Sequence, residues 1–372
     1  MASGSVVTHD VPAGVIVTGV PAREVRQLSR IIKTYHYGSP CHGGNMRESL
    51  LRFYRRSVIG RALLSFPRWL YLSLIKRCLS DKAWCRVMYK WSHGHALDLD
   101  NPRTLNEKIQ WLKLYNRQPE YTNLADKYKV RDYIRDILGE QYLIPLLAVA
   151  EDPRQIDFGS LQEPFIIKST HSSGQTLIVR DKTAIDWQAV VTQCRQWLRT
   201  NLYREGREWQ YNRIPPKIIV ERLLVDEDGH IPFDYKFHCF HGKIGAIQVD
   251  IDRQTNHRRN FYDTEWSKMP FTWSVCAGDK PLWPHGRDVE KPVVLPELIS
   301  VTERLAQRFP YIRIDWYVVA DRIYFGEMTF HHGGGYERIL PVEWDKILGD
   351  KIQLPMHRSG ESVSAKSRTE AP

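Results

Sequence analysis

Residues 312–330, IRIDWYVVADRIYFGEMTF, are two alternating runs around a short turn, and they constrain this chain more than any other stretch. Alternation with period two reads as a strand buried on one face, and two such runs flanking a turn predict a β-hairpin. If the loop is the three residues 320–322, Val319 faces Ile323 and Asp315 lies directly opposite Glu327. Arg313 and Thr329 then share their face, while Ile312, Ile314, Trp316, Val318, Tyr324, Met328 and Phe330 make the other. A two-residue loop would break this register. One face is expected to be core and the other a site.

Two carboxylates opposed across neighbouring strands, with Cβ atoms about 5 Å apart, repel each other unless positive charge lies between them. A divalent, oxygen-seeking cation meets that need. Mg²⁺ binds through one or two carboxylates plus phosphate oxygens and water, which suits a nucleotide site better than a closed cage. Arg313, two residues from Asp315, would also balance the pair as a salt bridge without metal.

Upstream, PFIIKSTHSSGQTLIVR reads as strand, small-residue loop and strand, with Lys168 ending the first. Such a loop lets backbone N–H groups approach phosphate oxygens, and an ordinary hairpin would read the same way. It is neither a Walker A loop nor a Rossmann fingerprint. KIIVERLL ends an apolar strand on Glu221, and DYKF places Lys236 in mid-strand. Further strands are expected at KIGAIQVDI, with the single helix ELISVTERLAQRF interrupting the series. Before them, Thr104 and Glu107 form a capping box that opens a helix through Leu105, Ile109, Leu112 and Tyr115. YTNLADKYKVRDYIRDILG repeats that period and stops at Gly139. DRQTNHRRNFYD is loop-like, and its Arg253, Arg258 and Arg259 are candidates for docking an anionic group.

The formal charge of +10 is concentrated. Residues 46–90 carry eleven basic side chains against Glu48 and Asp81, so 11 − 2 = +9. VIGRALLSFPRWLYLSLIKRCL within that segment fits either two packed helices with solvated basic faces or a helix on an anionic membrane surface. The block lacks any recognised nucleic-acid motif, so no nucleic-acid partner is expected. Six cysteines without a C-x-x-C pair argue against a zinc ribbon or disulfide framework and fit a reducing cytoplasm. Neither a signal peptide nor a spanning segment is expected.

Residues 5–26, SVVTHDVPAGVIVTGVPAREVR, resemble the last coil and exit strand of a hexapeptide-repeat acyltransferase. A single coil cannot bury its own face, which makes it a remnant rather than a working acetyltransferase. The expected organisation is this remnant over 1–35, a linker and basic amphipathic segment over 36–97, a catalytic region over 98–356 and a disordered tail over 357–372.

NPRTLNEKIQWLK, LADKYKVRDYI, PFIIKSTHSSG, KIIVERLL, DYKFHCFHGK, IDWYVV, YFGEMTF and PVEWDKILG, in that order, resemble the TupA-like branch of the ATP-grasp superfamily. The resemblance spans roughly residues 98–356. It implies an α+β fold in which two lobes with antiparallel sheets hold ATP between them. It also implies Mg-ATP-dependent formation of an amide through an acyl phosphate, with carboxylate and amine substrates that are small molecules or glycans of the bacterial surface. Lys127 and Lys168 would contact the phosphates from the two lobes, with the loop Ser172, Ser173, Gly174 closing over them and Glu221 at the adenine hinge. Lys236 would reach the γ-phosphate, and Arg313 would steady the transferred phosphoryl group. Asp315 and Glu327 would hold Mg²⁺, with Thr329 standing where many ATP-grasp proteins carry asparagine. Other outcomes are a kinase-like or sugar-transferring enzyme, or a non-catalytic nucleotide-binding or membrane-docking protein. Contact with the inner membrane face would be peripheral.

Overall fold

The computed structural model describes residues 17–18, 23–24, 78–253 and 256–355. The acyltransferase-like remnant, the linker, most of the basic segment and the tail therefore lie almost wholly outside the described residues. A four-stranded antiparallel sheet has the order β1-β4-β2-β3, where β1 is Leu146–Ala150, β2 Phe165–Ser169, β3 Thr176–Val179 and β4 Ile218–Arg222. Its outer face packs Phe165, Ile167, Leu177, Val179 and Val220 on helix α5, Trp187–Trp197, through Val190, Cys194 and Trp197. The sequence reading had no helix there; Asp186 starts it by accepting from the N–H groups of Gln188 and Ala189.

The second sheet has five antiparallel strands in the order β9-β8-β5-β6-β7. These are β5 Asp234–Phe240, β6 Lys243–Ile251, β7 Arg258–Tyr262, β8 Tyr311–Val319 and β9 Arg322–Thr329. Strand β7 corrects the loop expected around Arg258 and Arg259. Period-two alternation sorts this sheet into two unlike faces. Phe237, Ile247, Val249, Ile312, Ile314, Trp316 and Met328 pack on helix α6, Leu295–Ala306, in one buried cluster. The opposite face carries the charged residues.

The hairpin expected at 312–330 forms, but by a different route. Its loop is two residues, Ala320 and Asp321, both with positive φ of 46° and 56°, so Val319 pairs with Arg322. Such a turn matches the twist of the flanking strands. A bulge at Gly326 then adds one residue and restores Asp315 opposite Glu327, Ile314 opposite Met328 and Arg313 opposite Thr329. Between turn and bulge the parity is reversed: Ile323 and Phe325 enter the core, and Tyr324, expected there, pairs with Tyr317 on the charged face.

Helix α2, Leu105–Tyr115, opens with the expected capping box between Thr104 and Glu107. It packs with α1, Asp81–His93, through Cys85, Tyr89, Leu105, Ile109 and Leu112. The helical stretch expected to run unbroken to Gly139 is two helices, α3 Glu120–Ala125 and α4 Val130–Ile137. They break at Asp126, whose carboxylate accepts from the Tyr128 N–H at 2.8 Å. Gly139 takes φ 107° past the end, as its position required. A last helix, α7 Glu343–Asp350, packs on α2, where Asp345 accepts from the Asn106 N–H and side-chain amide.

Candidate active site

The charged face is built from alternate residues of adjacent strands. Asp315 on β8 lies beside Lys236 on β5 as well as Glu327 on β9, while Arg313 lies beside His238 and Tyr317 beside Asp234. The Arg313 guanidinium forks onto Asp315, with Nε to Oδ1 and Nη2 to Oδ2 both at 2.7 Å, and Nη2 also reaches Glu327 Oε1 at 2.7 Å. Lys236 donates to Asp315 Oδ2 at 2.9 Å and to Asp234. Burial disfavours the charged Arg313, but Asp315 and Glu327 outweigh it and raise its pKa.

From this centre the ionic contacts continue across the sheet. Arg253 donates to Asp234 at 3.1 Å and approaches Asp250 at 3.9 Å. Arg259 binds Asp250 at 2.7 Å and Glu337 at 2.9 Å, and the His332 ring stands 3.3 Å from Glu337 and 2.7 Å from Arg313 Nη1. The contacts close into a ring running Asp234, Lys236, Asp315, Arg313, His332, Glu337, Arg259, Asp250 and Arg253. Each of these residues is buried. Burial alone would raise the Glu337 pKa, yet His332 and Arg259 bring it down to about 2.

The four-stranded sheet turns Lys168 and Glu221 toward this face. Glu221 binds Lys168 at 2.8 Å and Arg131 of α4 at 2.9 Å, making a triad in which Glu221 and Arg131 are buried and Lys168 partly so. Lys127 sits in the break between α3 and α4, its N–H on Thr170 O at 3.3 Å and its ammonium on Ser172 O. Ser172 is tied to Ser169 by a 2.6 Å hydroxyl bond, and Gly174 turns the loop with φ 75°. Burial lowers the Lys127 pKa, Glu327 opposes that, and Lys168 adds to it. Lys127 beside the four-stranded sheet is therefore within electrostatic reach of both Lys168 and the Glu327 carboxylate of the five-stranded one.

A family model described as TupA-like ATPgrasp matches residues 107–353. The chain belongs to the TupA-like ATP-grasp family. Its fold is accordingly the α+β ATP-grasp fold, as the sequence motifs implied. Among solved structures, the chain is similar to a D-alanine–D-alanine ligase from Bacillus anthracis at 16% identity and TM-score 0.38, covering 62% of this chain and 66% of that one. It is also similar to an L-amino acid ligase from Bacillus licheniformis at 12% identity and TM-score 0.37, covering 69% and 56%. A RimK domain ATP-grasp protein from Sphaerobacter thermophilus matches at 12% identity and TM-score 0.34, covering 64% and 70%. The chain thus spans less than two thirds of the first two, and such distant likenesses add nothing to the family assignment. Comparison with curated proteins finds no match.

Of the sequence-derived candidates in this TupA-like chain, Lys236, Arg313, Asp315, Glu327 and Arg253 come together on the charged face, while Lys168 pairs with Glu221 and Lys127 with the loop at Ser172. Arg253, expected in a surface loop, is 7% exposed and anchored inside the ionic ring, and Arg259 is 2% exposed. Sequence reading missed Asp234, Asp250, His332 and Glu337, which sit on strands or turns without a motif of their own. The period-two placement of Asp234 beside Lys236, and of Asp250 in KIGAIQVDI, was the signal available. The donor set around Asp315 and Glu327 is all oxygen, as a hard cation requires. Both hydrogen bonds to Glu327 use Oε1, and its side chain is 21% exposed where Asp315 is 3%. By donor chemistry these residues fit Mg²⁺, with both Asp315 oxygens held here by Arg313 and Lys236.

Proposed function

We propose that this chain is a Mg-ATP-dependent carboxylate-amine ligase, joining an amino acid to a uronic acid or similar acidic sugar of a bacterial surface polysaccharide. The observation that carries the reading is the Asp315–Glu327 pair, bridged by Arg313, with Lys236 against it. The reading places the reaction in the cytoplasm with small-molecule or glycan substrates and no nucleic acid. Any membrane contact would be peripheral and made through the basic segment. Among the described residues no helix is long and apolar enough to cross a membrane.

Transfer of the γ-phosphoryl group to a carboxylate would give ADP and an acyl phosphate. Attack by the amine then forms the amide and releases phosphate and a proton. Asp315 and Glu327, with Thr329 beside them, would hold Mg²⁺, which supplies positive charge to the phosphate oxygens when bound. The chain's own cations do the rest. Lys127 and Lys168 would bind the phosphates as the loop at Ser172, Ser173 and Gly174 closes over them, and Glu221 would hold Lys168 in place near the adenine edge. Lys236 would meet the γ-phosphate, Arg313 would neutralise charge on the moving phosphoryl group, and Arg253 would orient the acidic acceptor. Preorganised charge of this kind is commonly the largest catalytic contribution, and losing one contact costs roughly 100-fold or more.

The test is ATP turnover by purified protein with Mg²⁺, uronic-acid glycans and a panel of amino acids, with products read by mass spectrometry. An amide mass and phosphate release are expected. Asp315→Asn and Glu327→Gln should each abolish turnover in folded protein. A product heavier by one phosphate would make the enzyme a kinase, and near-normal turnover in both variants would end the assignment.

A further inference from the structure

Helix α2 carries a lysine whose placement the proposed chemistry does not use. Lys113 is fully buried, and its ammonium donates to Gly334 O at 2.7 Å, Gly206 O at 3.1 Å and the Tyr336 hydroxyl at 3.2 Å. Burying a cation on neutral oxygens is costly, and an apolar side chain would fill the space more cheaply. Burial accordingly lowers its pKa. One turn earlier on the same helix, Gln110 Nε2 donates to Gly334 O at 2.9 Å and Gly335 O at 3.0 Å. Both side chains thus converge on one backbone carbonyl.

That carbonyl belongs to an unusual turn. Gly333, Gly334 and Gly335 have φ of 56°, 62° and 72°, three left-handed residues in succession that only glycine adopts readily. The turn is also tight, since a Cβ on Gly335 would stand 2.8 Å from Gln110 Nε2 and one on Gly333 would stand 2.6 Å from Glu337 Cγ. It follows β9 after Phe330, His331 and His332. The Gly334 N–H donates to His331 O at 2.8 Å, and the neighbouring His332 ring meets Arg313 Nη1 at 2.7 Å. A continuous path therefore runs from Lys113 and Gln110 through the glycine turn to the guanidinium that bridges Asp315 and Glu327.

We infer that Lys113 and Gln110 are positioning residues that clamp the triglycine turn and thereby fix Arg313 for phosphoryl transfer. The inference rests on the proposed ligase reading for its kinetic consequence, and on the structure alone for the clamp. The experiment uses the full chain with Lys113→Met, Gln110→Met and the double variant. It measures Mg-ATP turnover, the KM for ATP, Tm and amide exchange across residues 331–337. Each single variant should lower kcat by roughly 10- to 100-fold, the range expected when a catalytic group is displaced by about 1 Å. The KM for ATP should stay within about threefold, which separates positioning from lost binding. The double variant should fall well short of additivity because both donors serve Gly334 O. Exchange should quicken at 331–337 and little elsewhere. Unchanged kcat in a folded variant, or loss of kcat and KM together with exchange raised across the whole fold, would overturn the inference. If Lys113→Met does not fold, Gln110→Met decides, since it removes a donor from the same carbonyl. Should the wild type turn over no ATP with any acceptor, the ligase reading falls and no positioning role stands. Exchange at 331–337 then decides the clamp, which unchanged protection in the variants would refute.

Discussion

The two faces of the five-stranded sheet are built from the same strands and obey opposite rules. Behind it, Phe237, Ile314, Trp316 and Met328 are held against α6 by apolar packing, with one hydrogen bond from Trp316 to Thr302. In front, Lys236, Arg313, Asp315 and Glu337 are as thoroughly buried, but each is held by a partner of opposite charge. Burying apolar surface stabilises almost any sequence of the right volume, whereas a buried ion pair roughly breaks even against an apolar replacement and collapses when one partner is lost. The front face is therefore there to fix charge in position, not to hold the fold together.

The sharpest way to break that contrast is Arg313→Ala. It strands Asp315 without its fork and should cut ATP turnover by roughly 100-fold or more, while costing about 3–5 kcal/mol in urea unfolding. Equal turnover would show that the front face is structural. Trp316→Ala, on the back face of the same strand, removes a fully buried ring and its 2.8 Å bond to the Thr302 hydroxyl. A similar loss of about 3–5 kcal/mol is expected, but the folded fraction at low temperature should keep a KM for ATP close to the wild-type value. A large KM change there would mean that the two faces are not separable.

Matched and unmatched acids should also titrate in opposite senses. Glu337, paired with His332 and Arg259, is depressed to about 2, so its contribution is present above 4.5 and is lost as pH falls toward 2. Asp345 is buried with amide partners from Asn106, and burial lifts it from 3.8 to about 6. Above pH 6 its charge costs stability, and the cost disappears as the folded form takes up a proton on the way down to 3.8. The rise corresponds to roughly 3 kcal/mol. Asp345→Asn should therefore be more stable than wild type at pH 7.5, with the gap roughly halved at pH 5 and closing toward pH 3.8. A gap that widens on acidification would reverse the assignment. The smallest effect should come from Gly326→Ala, where the new Cβ would stand 3.0 Å from Asp315 O. About 1 kcal/mol of stability and a modest fall in turnover are expected, because the bulge sets where Glu327 points.

The bulge also shows where sequence reading reaches its limit. Asp315 opposite Glu327 was legible from alternation, yet it was reached through a loop one residue too long, and the error cancelled only because Gly326 inserts a residue on the other arm. A lone glycine inside a strand run is a bulge signal, and weighing it would have placed Tyr324 correctly on the charged face. The helix break at Asp126 was hidden for a related reason. Apolar period continues across 120–138, while Asp126 satisfies the freed N–H groups with its own carboxylate and frees Lys127 to reach Thr170 and Ser172. NEKIQWLK was legible as helix but not as scaffold: Asn106, Gln110 and Lys113 face partners more than 200 residues away in sequence.

By itself the sequence determined what depends on neighbours within a few positions: the strand runs, the capped start of α2, the hairpin and the pairing of its two acids. Which cation answers each buried acid was settled only by the tertiary structure. Burial strengthens a charge's interaction with whatever stands within about 4 Å, and that neighbour comes from another strand or helix, chosen by sheet order and packing rather than by distance along the chain.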